Sequence, residues 1–530
     1  MISAASREER SDPMGTIEKA KKPLSLPGWV QTALQRQREY PIIDTLVVLY
    51  VAAVLVFQIF LQISPIVTFL TKTPFYSMQT YFGILGGGLI LLDLFTTKRL
   101  WQGKFSWLLY GICLLAAVAS VRTLEYGIRE NLFKLCWAAI YFALVYSLPY
   151  RMSRETLHRF IKILFCFMLS LWFIACCISL YQYAAQIGYM YVVNPLSKDA
   201  SATRQGFYDN RLFGIFYTLN HAAYISLLFI IGSFFYMIKT KHWSIKILLG
   251  VAELVMLCYI LLSGSRSAAI ALLICFVAGA LLLLRDRIRR TERKRFVLPI
   301  ILAVVVAVVC VVGNSGMKAA LSHIPYITDR IVYYLHGGDA NPNAKPSLDA
   351  SDKGDASSLD DILDRQGLEE DVSNGRLSIW LDYVSLYNDV GLVGLSPGNY
   401  MAYVLENHPD MYIVEYVREN YPDKYNSNII YHTHNGYMLV FVATGFLGMG
   451  CLIAFMLLCA VRVFRALVSK QTLSRVFIGA FLVVIACAFS AILDEGLFFQ
   501  NHLHITLFWF SLGILMMESP DRNVAVQPVQ

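Results

Sequence analysis

Three polar patches interrupt otherwise apolar sequence, and each holds residue types suited to a phosphate or a hydroxyl. The first is Asn210-Arg211 with Asn220, in the stretch NRLFGIFYTLNHAAY. The second is Ser263-Gly264-Ser265-Arg266-Ser267, in LLSGSRSAAIAL, and the third is His434-Asn435-Gly436-Tyr437, in HTHNGYMLVFVATGFLG. Each is expected to open a helix. A helix start presents unpaired N–H groups and a partial positive charge, so an arginine placed there adds to a site already suited to phosphate. Arg211 and Arg266 at two such starts suit a pyrophosphate. His434 at a third is biased toward the neutral imidazole, the form that accepts a proton from an attacking hydroxyl. The chemistry sketched is that of a phosphate-activated donor meeting a hydroxyl acceptor. Plainer roles compete with it. Arginines at membrane-helix ends anchor at the interface, Ser263, Ser265 and Ser267 can cap the helix that follows, and a lone histidine at a helix start can be a cap or a surface residue.

The elements that must position these patches are membrane helices. Hydrophobic residues make up 57% of the 530 and charged residues 15%, with a mean hydropathy of +0.53. A soluble chain of this composition would expose most of its apolar surface. A helix crosses a hydrocarbon core of roughly 30 Å in about 20 residues, and twelve stretches qualify. They are 43–63, 76–95, 105–121, 131–149, 159–183, 213–238, 246–262, 267–284, 296–313, 435–461, 476–494 and 498–516. The fold class is thus an all-α polytopic membrane protein of about twelve transmembrane helices. Residues 1–42 form a basic tail without the short apolar core and small-residue cleavage site of a signal peptide. Transmembrane helices 1–9 follow over 43–313, then a large loop over 314–434, helices 10–12 over 435–516, and a tail over 517–530.

Lysine and arginine gather in every second connection, and cytoplasmic loops are the ones that hold them in excess. The basic connections carry Lys98, Arg99 and Lys104, then Arg151, Arg154, Arg159 and Lys162, then Lys239, Lys241 and Lys246. The run from Arg285 to Arg295 and the group Arg462, Arg465, Lys470 and Arg475 complete the series. Both termini are therefore expected in the cytoplasm and all three polar patches outside it. The formal charge of +8 is a topology signal and implies no nucleic-acid partner. The loop before helix 10 is acidic, with eighteen Asp and Glu against eight Lys and Arg. Within it, 337–371 reads as a variable insert, and Leu377 to Tyr387 as an amphipathic helix lying on the membrane surface or the helical body.

All eleven cysteines fall inside predicted spans, so no disulfide framework is expected. The pairs His432/His434 and His502/His504 lack a carboxylate at metal-ligand spacing, so neither a metal site nor a cofactor is expected. Glu253, mid-span, is costly to bury charged and is a weak functional candidate. Asp494-Glu495, at a helix end, reads as a solvated cap.

At these patches the sequence resembles the O-antigen ligase and polymerase superfamily. Gly264-Ser265-Arg266-Ser267 resembles the family's arginine turn, and His434-Asn435 with Gly445 and Gly448 resembles its His-Asn pair and following glycines. Asn374-Gly375-Arg376, Trp380, Gly394 and Pro397-Gly398-Asn399-Tyr400 resemble its loop pattern, while Arg211, Gly214, Phe216 and Asn220 resemble its upstream stretch. The likeness covers roughly 201–450. It implies a GT-C-like, metal-independent, inverting glycosyltransferase of the bacterial cytoplasmic (inner) membrane, acting on the extracytoplasmic face. The donor it implies is a glycan on undecaprenyl pyrophosphate, and the acceptor a hydroxyl of a glycan or lipid. Carried over by position, His434 and Arg266 would be catalytic, and Arg211, Asn220, Ser265, Arg376 and Asn435 would bind substrate. A polymerase of lipid-linked repeat units shares these motifs. A polysaccharide or lipid transporter also fits twelve helices, though a 120-residue loop exceeds what a transport cycle needs.

Overall fold

The structure is a computed structural model that describes residues 42–195, 202–290, 375–427, 429–430, 432–469 and 471–519, with short pieces between 313 and 328. Every predicted span except 296–313, which lies outside these residues along with the 337–371 insert, falls on a helix. In chain order the long helices are α1 (Ile42–Phe60), α3 (Met78–Phe95), α4 (Ser106–Arg122), α5 (Arg129–Ile140), α6 (Arg154–Ala184), α7 (Leu219–Lys239), α8 (Trp243–Leu262) and α9 (Arg266–Arg290). After the loop come α15 (Gly436–Val468), α16 (Arg475–Leu493) and α17 (Leu503–Glu518). A short α2 (Ser64–Thr71) follows α1, and the loop itself folds as α10 (Arg376–Ser385), α11 (Tyr387–Val390), α12 (Tyr400–Asn407), α13 (Tyr412–Asn420) and α14 (Pro422–Asn426).

Eight helices among the described residues are long and apolar enough to cross a membrane, and α4 and α17 are shorter apolar helices. The span predicted over 131–149 runs as α5, a π-turn over Tyr141–Val145 and a 3₁₀ turn over Leu148–Arg151. Its widened turn is wholly buried and packs aromatic rings against α17, with Phe142 and Trp509 centroids 4.8 Å apart.

The structure corrects one all-helical expectation. Gly188–Tyr191 (β1), Thr203–Tyr208 (β2) and Arg211–Gly214 (β3) form a three-stranded antiparallel sheet. Asp209 and Asn210 turn β2 into β3 with positive φ, a conformation that Asn and Asp tolerate and that tight hairpins require. Arg211 therefore sits on a strand and not at a helix start, and α7 begins at Leu219.

The basic connections converge on one end of the bundle, as their alternation predicts. Of their side chains, that of Arg151 is buried and those of Arg99, Arg285 and Arg462 are half-buried. Arg151 makes paired bonds of 2.9 Å to the Asp93 carboxylate and reaches Asp44 at 3.3 Å, while Arg99 pairs with Asp44 as well. This network ties the 3₁₀ turn Leu148–Arg151 to the ends of α1 and α3. Nearby, Arg285 donates to the carbonyls of Leu467 and Ser469, and Arg462 to that of Met516.

At the opposite, loop-bearing end, α15 breaks. Gly445 has φ 69° and ψ −167°, which interrupts the helical hydrogen-bond ladder at a depth where every backbone polar group needs an internal partner. The segment 391–396 supplies those partners. Phe446 and Leu447 N–H donate to the Gly391 and Leu392 carbonyls at 3.1 Å, while Leu395 and Ser396 N–H donate to Val442 and Ala443 at 2.8 and 3.2 Å. The approach is tight enough that a Cβ on Gly445 would lie 2.4 Å from Leu392 backbone, and one on Gly394 2.4 Å from the Thr444 nitrogen. Gly445→Ala therefore combines a left-handed backbone with a backbone clash, and strain of this kind costs about 1–3 kcal/mol before the clash is added. We expect a sharp fall in monodisperse protein after detergent extraction. Gly450→Ala, in the same helix with nothing within 4 Å of its Cβ, serves as the silent comparison.

The same loop is pinned on its other side. Gly398 N–H donates to Asn131 Oδ1 at 2.6 Å, Lys134 Nζ to the Pro397 carbonyl at 3.0 Å, and Asn399 Nδ2 to the Thr123 and Gly127 carbonyls at 2.7 and 2.8 Å. The Pro-Gly-Asn turn thus locks the loop onto the ends of α4 and α5, and 391–396 onto α15.

Candidate active site

The histidine patch forms where the loop, α15 and α16 meet. Asn435 caps α15, its side-chain carbonyl accepting from Tyr437 and Met438 N–H, each at 3.0 Å. A cap of this kind is favoured because it satisfies otherwise orphaned donors of the first turn. His434, just before the cap, has a left-handed φ of 46° that turns it off the helix axis. From the loop, Trp380 Nε1 donates to the Thr433 carbonyl at 3.1 Å. That bond anchors α10, and Arg376 at the start of α10 lies within electrostatic reach of His434. Leu377 to Tyr387 is the amphipathic element its spacing predicts, with Ile379 and Tyr383 buried.

Asp494 and Glu495 are not a solvated cap. Glu495 is 6% exposed and accepts from Thr433 Oγ1 at 2.8 Å and Gln500 Nε2 at 2.9 Å, with Tyr400 OH and His432 Nδ1 each 3.4 Å away. Asp494 Oδ2 lies 2.9 Å from His221 Nε2 on α7, and its backbone carbonyl accepts from Gly436 N–H at 2.9 Å. The ring centroids of His502 and His504 each lie 4.7 Å from that of His221. Half of the chain's ten histidines therefore gather around two carboxylates. Among the described residues, no group of three or more His, Cys, Asp or Glu has metal-holding geometry.

The electrostatics of this cluster separate the acids from the bases. Burial by itself raises Asp494, but the charge and hydrogen bond of His221, then His504 and His434, outweigh it and hold the carboxyl below its ordinary range. Burial likewise raises Glu495, and His432, Lys134, the Thr433 hydroxyl and His434 bring it back below. His434 moves the other way. Burial is the largest influence and lowers it, Glu495 and Asp494 pull it up, His432 and Arg376 push it down, and it ends below 6.5. Partial burial, and not the helix start its sequence position suggests, is what favours the neutral imidazole. His502, desolvated and facing His221, is pushed down to about 3.

The two arginine patches also meet. Arg211 Nε donates to the Ser263 carbonyl at 3.0 Å, and its side chain runs past Gly264, whose φ of 63° makes the tight turn between α8 and α9. Ser263 Oγ accepts from Ser265 N–H at 3.2 Å, and Ser265 Oγ lies 3.3 Å from Ser267 Oγ. Ser265 is buried inside this turn, whereas Arg266, the first residue of α9, is exposed. Asn220 is half-buried in the first turn of α7, next to His221. The structure thus joins Arg211 to the Arg266 turn and brings Arg376 within electrostatic reach of His434. It ties these pairs toward one end of the bundle through α7, which carries Asn220 and His221 onto Asp494.

This architecture defines a polytopic membrane protein with a polar site at one end, roofed by a folded loop. Residues 252–453 match the O-antigen ligase family. That stretch holds the arginine turn, the loop and the His-Asn cap. The chain carries an O-antigen ligase family domain within a polytopic membrane protein. Neither a curated protein nor a solved structure matches it.

Proposed function

We propose that the protein transfers a glycan from undecaprenyl pyrophosphate to an acceptor hydroxyl on the extracytoplasmic face of a bacterial cytoplasmic membrane, with both termini cytoplasmic and twelve helices in all. The observation that carries this reading is the pairing of Arg211 with the Ser263–Ser267 turn, a turn that lies with His434 inside the family match. It brings two arginine segments together in the way a pyrophosphate leaving group needs.

In the reaction, the acceptor oxygen forms a bond to the anomeric carbon of the donor sugar. The bond from that carbon to the pyrophosphate oxygen breaks, and its electron pair leaves on the pyrophosphate. The acceptor proton passes to a ring nitrogen of neutral His434. Attack opposite the leaving group inverts the anomeric centre. Arg266 and Arg211 stabilise the charge that develops on the pyrophosphate, acting where it forms and at no reorganisation cost. Arg376, carried by α10, repels a proton from His434 and lies on the acceptor side. Asp494 and Glu495 hold the positive charge His434 acquires.

The test is purified full-length protein in lipid nanodiscs, given an undecaprenyl-pyrophosphate oligosaccharide. New glycosidic bonds, undiminished in excess EDTA, are the expected result. Movement of the lipid across the bilayer without bond formation would instead favour a transporter.

A further inference from the structure

His432 has no part in the transfer reading, yet its two ring nitrogens stand in opposite surroundings. Nδ1 faces inward, 3.4 Å from a carboxylate oxygen of Glu495 and 3.2 Å from the Tyr400 hydroxyl. An ionised carboxylate can only accept. The Tyr400 hydroxyl donates its own proton to the same carboxylate at 3.4 Å, so towards His432 its oxygen accepts as well. Two acceptors at Nδ1 place the imidazole proton on that nitrogen. The neutral ring is then left with a bare Nε2, which can only accept a hydrogen bond. The His432 side chain is 44% exposed, and Nε2 has no hydrogen-bond or ion partner among the described residues.

The groups that fix this ring are themselves fixed. Tyr400 is fully buried and ends the Pro-Gly-Asn-Tyr turn that Lys134, Asn131 and Thr123 pin in place. Thr433, the next residue, donates to Glu495 at 2.8 Å and gives its carbonyl to Trp380 at 3.1 Å. A histidine that met only water would need none of this. An imidazole oriented through one nitrogen by a buried carboxylate presents the other at a set angle to whatever enters the site. The lone pair on Nε2 repels a phosphate and fits a hydroxyl. His434 follows two residues later, its Cα within about 7 Å of that of His432, and each ring lies within electrostatic reach of the other and of Glu495. Two proton-accepting imidazoles this close suit two hydroxyls of one sugar.

We propose that His432 binds the acceptor: its Nε2 accepts a hydrogen bond from a second hydroxyl of the sugar whose reacting hydroxyl meets His434. The acceptor is then a carbohydrate with at least two hydroxyls within reach, and not a lone hydroxyl of a lipid or a protein side chain. Tyr400 and Glu495 are positioning residues that hold the His432 tautomer. The inference rests on the transfer reading and deepens it by naming the acceptor's chemistry.

The experiment uses the full-length chain in nanodiscs, with an undecaprenyl-pyrophosphate oligosaccharide as donor and the same oligosaccharide, free of lipid, as the acceptor probe. Glycan joined to the acceptor and glycan released to water are both counted. Water has no second hydroxyl to hold, so His432→Phe should lower the ratio of transfer to hydrolysis at least about 10-fold, the order of one hydrogen bond left unmade. In His434→Ala the two should fall together. Tyr400→Phe should lower the ratio in the same direction by less, and His432→Gln, whose amide oxygen can accept in place of Nε2, should recover part of it. Among monodeoxy forms of the acceptor, one should lose a similar factor with the unaltered protein and nothing further with His432→Phe, since the two changes remove the same bond. A ratio that stays constant in His432→Phe, or deoxy losses that all add to those of the variant, would overturn the proposal and leave the transferase standing. A protein that forms no glycosidic bond with any of these acceptors would overturn the transfer reading, and the role of His432 with it.

Discussion

His434→Ala should reduce glycan transfer by about 10²–10⁴-fold, the usual worth of a positioned general base, with protein level and extraction unchanged. His434 is half-buried between the loop and α16, and the Asn435 cap and the Trp380 to Thr433 bond that shape its surroundings do not use its ring. The pH profile separates a base from a packing residue. The base must be unprotonated, so kcat/KM is flat above its pKa and falls as pH drops through it. Because the folded His434 lies below 6.5, the acid limb should appear below that value. Glu495 raises the His434 pKa, so Glu495→Gln should move the limb to still lower pH while keeping an oxygen to accept from Thr433. An acid limb that stays in place in Glu495→Gln, or a His434→Ala enzyme with near-normal turnover, would remove His434 from the chemistry.

How much of this was legible in the sequence depends on the range of the interaction that decides each feature. Spans such as 246–262 and 267–284 follow from twenty-residue apolarity, a local property, and the helices found at Trp243–Leu262 and Arg266–Arg290 differ only at their ends. The alternation of basic loops is likewise readable, since it depends on counting and not on contacts. The sheet was not read, because β1 and β2 are joined across an intervening stretch and only the Asp209-Asn210 turn signals a hairpin locally. Asp494-Glu495 was misread because a carboxylate at a helix end looks the same whether water or a neighbouring helix faces it. Its partners, His221, Thr433, Tyr400 and Lys134, come from four distant segments. A concentration of histidines at predicted helix ends on one side, 221, 432, 434, 502 and 504, was the available signal. Arg151 and Arg99 show the converse: read from the sequence as charges of cytoplasmic loops, they are partners of acids on neighbouring helices, Arg151 buried against Asp44 and Asp93 and Arg99 half-buried against Asp44.

Arg266→Ala should lower kcat for transfer by about 10²–10³-fold, the cost of losing one preorganised donor to a developing charge. The argument turns on the difference between the two arginines. Arg211 spends its Nε on the Ser263 carbonyl and so helps to build the turn, and Arg211→Ala should cost stability as well as activity. Arg266 is exposed at the start of α9 and makes no hydrogen bond or ion pair among the described residues, so its removal leaves the fold intact. Lysine separates charge from geometry. At Arg266, Lys keeps a point charge near the pyrophosphate and should recover part of the rate. At Arg211, Lys cannot bond the Ser263 carbonyl through Nε while presenting the rest of a planar fork to the donor, and should recover little. The measurement is initial-rate transfer in nanodiscs, with thermal unfolding of each variant alongside. An Arg266→Ala protein with normal kcat, or one whose melting temperature falls with its rate, would show that this arginine only anchors the helix at the interface.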